Sequence, residues 1–293
     1  MKRIMKQTKV CMLMLVLFVH ICLGFVYAQN RESDFIAEVT RDGRGVVIVK
    51  YVGDTTDVII PTTIEGMPVR ELGDEMFSAN SQIASVVIPE GITSLQGGYR
   101  TGTFCGCAKL TSVSLPESLT YIGGYAFSGC SSITSISLPK GLTSIGESAF
   151  SGCSSLTTIT IPNNIKSIGG YAFAWSGLTS ITWPSIHSVP EGAFKSCQNL
   201  VSAVIPEGVR NIETDAFFYC EALTSITLPS TIRNIGAQAF TNCYSLVNII
   251  IPDSVSYISF ESLFGDPIFG SCVRLNLASQ AALRRVGYTG RFK

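Results

Sequence analysis

Six cysteines keep one phase along this chain. Cys107, Cys130, Cys153, Cys197, Cys220 and Cys243 each follow a phenylalanine by three residues. Thiolates ligate zinc, but a zinc site needs four ligands converging on one point, usually as close pairs. A column with one thiol per repeat does not converge. Cys105-Gly106-Cys107 is the only close pair of the column, and no histidine pair accompanies it. Disulfides between neighbouring repeats satisfy the usual Cα spacing, and an exported chain would permit them. A buried free cysteine is a small apolar filler, and a reduced core ladder is the reading adopted. No metal and no cofactor are expected.

Nucleophilic catalysis needs a base within hydrogen-bond reach of the nucleophile and a third group to orient it. Beyond residue 28 the sequence holds one histidine, His187, between Pro184 and Pro190, with Glu191 as the only acid close by. Other acids, such as Glu90, Glu117 and Glu207, are scattered over turn positions. Gly97-Gly98-Tyr99, echoed by Gly123-Gly124-Tyr125 and Gly169-Gly170-Tyr171, reads as a repeat turn. A phosphate-binding loop would instead open a long helix after a strand. No catalytic residue is assigned and the chain is read as no enzyme, a glycan hydrolase being the remote alternative.

Departures from the repeat point to binding. Small or polar residues fill the two positions between most repeat phenylalanines and their cysteines, yet Trp175, Phe218 and Tyr219 stand there, with Tyr244 just after Cys243. Exposed aromatic side chains favour contact sites. The phenylalanine spacing shortens from 23 to 21 between Phe173 and Phe194. One residue is lost around Ser176-Gly177 and one between Pro184 and Val189. Trp175, Trp183 and His187 fall at this seam. On the outward strand positions Val204, Asn248 and Ile250 interrupt a run of serine and threonine. Together with Phe218, Tyr219 and Tyr244 they make the candidate ligand surface.

The elements that must position these residues are short and repeated. A unit of the form L-x-x-I-x-L-P-x-x-L-x-x-I-G-x-x-A-F-x-x-C recurs about every 23 residues from near residue 83 to near 252. A fixed period of this size marks a stacked array. In Leu110 to Leu115 the residues Leu110, Val113 and Leu115 point inward, while Ser112 and Ser114 alternate outward. Proline then ends the pairing on one side. Leu119 and Ile122 add a second inward pair, and Ala126-Phe127 fills the coil. The expectation is a β-rich right-handed coil with one short strand per unit. Its strands stack into one continuous concave parallel sheet, with turns or 3-10 segments on the other sides. Residues 29–82 read as an N-terminal cap, built on a hairpin with Asp42-Gly43 at its turn. Residues 83–264 form the solenoid. Residues 265–293 form a C-terminal cap with helical composition from Ala278 to Val286.

Composition agrees. Apolar residues make up 46% and charged residues 14%, which suits a buried stack and excludes a disordered chain. Residues 1–28 read as an export signal, with Lys2, Arg3, Lys6 and Lys9 before the apolar run Val10 to Val26 and a cleavage site after Ala28. Removing those four bases leaves 17 against 21 acids, a net charge of −4. That balance argues against nucleic acid and anionic membranes as partners. No membrane span is expected in the mature chain.

The unit resembles the BspA-like class of leucine-rich repeats. The lead-in Ile59-Ile60-Pro61 with Ile64 to Val69 resembles the capping unit of that class, and Leu283 to Phe292 resembles its closing segment. The resemblance implies a leucine-rich-repeat solenoid capped at both ends. It also implies an exported bacterial protein, placed in the periplasm, on the outer surface or secreted. Some members adhere to host matrix proteins or to other cells, and the class has no shared catalytic residues. The expected function is therefore protein binding, with adhesion as its specific form. A self-assembling envelope protein is the alternative.

Overall fold

The computed structural model describes residues 30–259, 277–285 and Gly287. The export signal and Phe264 lie outside the described residues. The chain opens with a 3-10 turn, Glu32–Asp34, and two antiparallel strands, β1 (Phe35–Val39) and β2 (Val46–Tyr51). Gly43 takes the left-handed conformation in the hairpin loop, at φ 69°, where a residue with a side chain would be strained. β2 then pairs in parallel with Met67–Leu72 and so starts the stack.

From there the chain is a solenoid with two ladders of short parallel strands rather than the expected one. The first carries Ser85–Val87, Ser112–Ser114 and their successors through Asn248–Ile249. The second is built from the two-residue strand that follows each proline, as in Tyr121–Ile122 and Ser144–Ile145. The glycine after that pair lets the backbones of successive coils touch. A Cβ on Gly146 would lie 2.4 Å from the Gly124 nitrogen.

The third side is a run of turns, and its hydrogen bonds point the other way along the stack. The Phe104, Phe127 and Phe150 amides donate to Ala126, Ala149 and Ala172 of the next coil, at 2.8 Å each. Inside, the phenylalanines form one column from Phe77 to Phe240 with stacked rings. Each is fully buried, and no coil could bury its ring alone.

The expected continuous sheet is interrupted. Both ladders break between the coil of Thr158–Ile159 and Ser167–Ile168 and the coil of Ser180–Thr182 and Ser188–Val189. This is the seam where the sequence loses two residues. The first ladder also breaks between Ser112–Ser114 and Ser135–Ile136. The phenylalanine column crosses the seam intact, but its widest spacings, 5.7 and 5.8 Å, flank Phe173. Beyond residue 259, the helix expected near the C-terminus is present as α1 (Leu277–Arg285). Leu283 is buried, and Arg285 reaches the carbonyl of Ile251 at 3.2 Å, so the helix is held against the last described coil.

Candidate ligand-binding notch

The cysteine ladder faces inward, and all six cysteines are buried and reduced. Each donates to the carbonyl of the phenylalanine one coil back, from Cys130 to Phe104 at 3.1 Å through Cys243 to Phe217 at 3.2 Å. Ser176 takes the cysteine place at the seam, with its hydroxyl 3.3 Å from the Cys197 thiol. Burial pushes the Cys107 and Cys153 thiols up to about 12 and Cys197 to about 11. The ladder is thus a protonated structural spine, not a nucleophile set. Among the described residues, no group of three or more His, Cys, Asp or Glu gathers to hold a metal.

The functional candidates sit on the turn side. Two residues after each phenylalanine from Phe77 to Phe240 the backbone is left-handed: Ala79 at φ 55°, Gly106, Gly129 and Gly152 at 73–75°, then Trp175 at 55°, Ser196 at 59°, Tyr219 at 61° and Asn242 at 62°. The cause is the ladder itself, because the amide at this place must reach the next coil. Gly152 donates to Ala174 at 2.8 Å, Trp175 to Lys195 at 2.8 Å and Tyr219 to Thr241 at 2.9 Å. Glycine meets this demand without strain. Tryptophan and tyrosine meet it at a cost of roughly 1–2 kcal/mol each.

The lost residue opens space beside them. Ordinary coils place two residues between the cysteine and the next inward leucine, whereas Ser176 is followed only by Gly177 before Leu178. Gly177 packs against the coil below, and a Cβ there would stand 2.2 Å from the Ser154 carbonyl oxygen. The result is a notch of about 590 Å³. Trp175, Phe218 and Tyr219 supply its aromatic surface, and Ser196 lies between the two left-handed aromatics. Gln198 and Asn199 form its polar side.

No ionisable carboxylate or amine lines this hollow. Beside the hollow, Lys195 pairs with Asp215 at 2.7 Å and lies over the Phe218 ring at 4.9 Å. Tyr244 extends the cluster by an edge contact with Tyr219 at 6.3 Å. A larger hollow of about 850 Å³ lies under the cap hairpin. It is lined by charges of both signs, including Arg41, Asp42, Arg70 and Glu71, and holds no aromatic side chain.

The structure gathers only part of the expected ligand surface. Trp175 is 49% exposed and shares the notch with Phe218 and Tyr219. Trp183 must be withdrawn, because it is 1% exposed. Its indole meets Phe194 edge-on at 5.4 Å and donates to the Ser188 carbonyl at 3.2 Å. It fills the space left where the stretch from Pro184 to Val189 is one residue short.

His187 is exposed in the turn entering the second ladder, and its carbonyl accepts from the Arg210 amide at 2.8 Å. It does not line the notch. Val204 and Ile250 are exposed on the first-ladder side, as expected, and also lie outside the notch. Asn248 pairs with Ser225 in that ladder.

Sequence reasoning missed Ser196, Gln198 and Asn199, although each flanks the shortened turn and was findable from it. It also misread Gly97-Gly98-Tyr99. In register, Gly102 packs on Tyr125 and Gly97 on Gly124, so the residues between them are an insertion rather than an echo. They form a small hairpin closed by a Gly97–Gly102 bridge, with Tyr99 at its tip and 84% exposed.

The family model for the BspA type leucine-rich repeat region matches residues 70–201 and 187–268, in six copies. The chain belongs to this family. The BspA-type chain is also similar to solved structures. The leucine-rich repeat protein of T. pallidum, TpLRR, is 27% identical, with 90% of this chain and 98% of that chain covered and a TM-score of 0.56. A leucine-rich repeat protein from Eubacterium ventriosum is 23% identical, with 78% and 62% covered and a TM-score of 0.58, a likeness of fold alone. Comparison with curated proteins finds no match. Among the described residues of the BspA-type chain, no helix is long and apolar enough to cross a membrane.

Proposed function

We propose that the chain is an exported binding module that engages a protein partner, anchored by the notch of Trp175, Phe218 and Tyr219. One observation carries the reading. Two large aromatic residues hold left-handed backbone positions that three preceding coils give to glycine, beside a turn shortened to leave room for a guest. Ala79, Ser196 and Asn242 hold the same left-handed place, so what marks Trp175 and Tyr219 is the large aromatic surface they set beside the hollow at that cost. Aromatic residues seated around a desolvated hollow are the usual energetic centre of a protein interface. Val204 and Ile250 on the first-ladder side provide secondary contacts. Residues 1–28 direct export, and a host matrix or cell-surface protein is the partner class to examine first.

The test is direct binding of the chain lacking residues 1–28 to immobilised matrix proteins and to whole cells. The triple variant Trp175→Ser, Phe218→Ser, Tyr219→Ser should bind at least about tenfold more weakly, as loss of hot-spot residues does. Its circular dichroism spectrum should be unchanged. Binding unaltered by the triple change would overturn the proposal.

A further inference from the structure

The chemistry of the notch narrows the kind of protein segment it fits. Its lining is uncharged, so a charged segment would lose water there without gaining an ionic partner. Its two left-handed aromatics are two coils apart. The column spacings across those coils, 5.8 and 5.2 Å, set Trp175 and Tyr219 about 10–11 Å apart along the stack. Between them stands Ser196, a small residue in the same left-handed place. The notch therefore offers an aromatic face, a gap and a second aromatic face, with the amides of Gln198 and Asn199 alongside.

A polyproline II helix presents the matching pattern. It has three residues per turn and rises 3.1 Å per residue, so residues three apart recur on one side about every 9 Å. Its backbone carbonyls are unpaired and accept hydrogen bonds, and proline brings no amide that needs a partner. Aromatic-lined grooves bind such segments because the helix is already extended and little order has to be created. The difference of about 1–2 Å between this repeat and the coil advance lies within the reach of tryptophan and tyrosine rotamers.

We infer that the notch is a receptor for an uncharged, proline-rich segment in polyproline II conformation, with prolines three apart lying against Trp175 and Tyr219 and the Gln198 and Asn199 amides donating to its carbonyls. The inference rests on the protein-binding reading above.

The sequence holds two tryptophans, and only Trp175 is exposed, so its emission reports on the notch. The chain lacking residues 1–28 is titrated with an uncharged Ala-Pro-Pro repeat peptide. A Gly-Ser peptide of equal length and a neutral oligosaccharide serve as comparators. The proline peptide should give a saturable change in emission and the Gly-Ser peptide none. By calorimetry, Trp175→Gly and Tyr219→Gly should each weaken the proline peptide about tenfold or more. Glycine is the native residue at this place in three coils, so both variants retain the fold.

Absence of saturable peptide binding, or binding indifferent to both variants, overturns the inference. Saturation by the oligosaccharide instead of the peptide assigns the notch to glycans and overturns it too. If the peptide fails while protein capture still depends on Trp175, the segment class is wrong and the protein-binding reading stands. If neither depends on Trp175, both fall.

Discussion

Trp175 and Tyr219 show how much a single backbone position says when its neighbours are known. Gly106, Gly129 and Gly152 set the demand for left-handed φ, and the two aromatics meet it against preference. Replacing either by glycine should therefore cost the fold nothing. Relief of about 1 kcal/mol should raise the thermal midpoint by roughly 2–4 °C for a chain of this size, measured by circular dichroism. A fall in midpoint would mean that the rings are packing residues, not contact residues.

The thiols lead to a pH prediction at the same scale. An unfolded cysteine ionises near pH 8.5, whereas Cys107 and Cys153 keep their protons up to about 12 and Cys197 up to about 11. Above pH 8.5 the unfolded state sheds protons that the native state retains, so stability falls as pH rises. This contribution is whole below pH 8.5 and is lost as pH climbs through 11–12. The thermal midpoint should hold steady from pH 7 to 8.5 and drop by pH 10. Thiol reagents at pH 8 should leave the six ladder cysteines unlabelled until the protein unfolds.

At the scale of the element, the shortened coil is held by two opposite devices. Gly177 draws the turn against the coil below because no side chain intervenes, and Trp183 refills the space lost on the opposite stretch. Gly177→Ala should force the backbones apart and reshape the notch, lowering both stability and partner binding. Trp183→Ala should leave a cavity beside Phe194 and destabilise the chain by about 3–5 kcal/mol, measured by urea unfolding. Its effect on binding should be the smaller of the two, since Trp183 does not line the notch. The seam was legible from spacing alone. Which tryptophan faced solvent was legible too and was overlooked, because Trp183 stands before Pro184 in the inward place that Leu115 holds before Pro116.

At the scale of the molecule, a solenoid is a sum of coils and nearest-neighbour contacts. Residues 131–153 make one whole repeat, running from the position after Cys130 to Cys153. Their deletion joins Cys130 to Ser154 in phase. The shortened protein should fold with an unaltered circular dichroism shape and keep its binding through the notch. A deletion that unfolds the chain would show that the stack is not built from equivalent coils. The exposed edge belongs to the same scale. β1 closes the eight-stranded sheet, and Ile36 and Val39 are exposed on it. Should that edge drive the self-assembly alternative, sedimentation velocity will show growth with concentration. A single monomeric boundary at all concentrations is expected for a binding module.

The amino-acid sequence by itself determined the stacked repeat, its phase and the inward thiols, because period and apolar pattern are local properties that every coil restates. It also exposed the seam, since a missing residue breaks a count. The tertiary structure alone decided the second ladder, whose two-residue strands are too short to announce themselves. It likewise decided that Trp175 and Tyr219 line one hollow across an intervening coil. Those depend on which coil lies beside which and how far the chain twists between them, and such distances are written in the packing of neighbours rather than in any one stretch of residues.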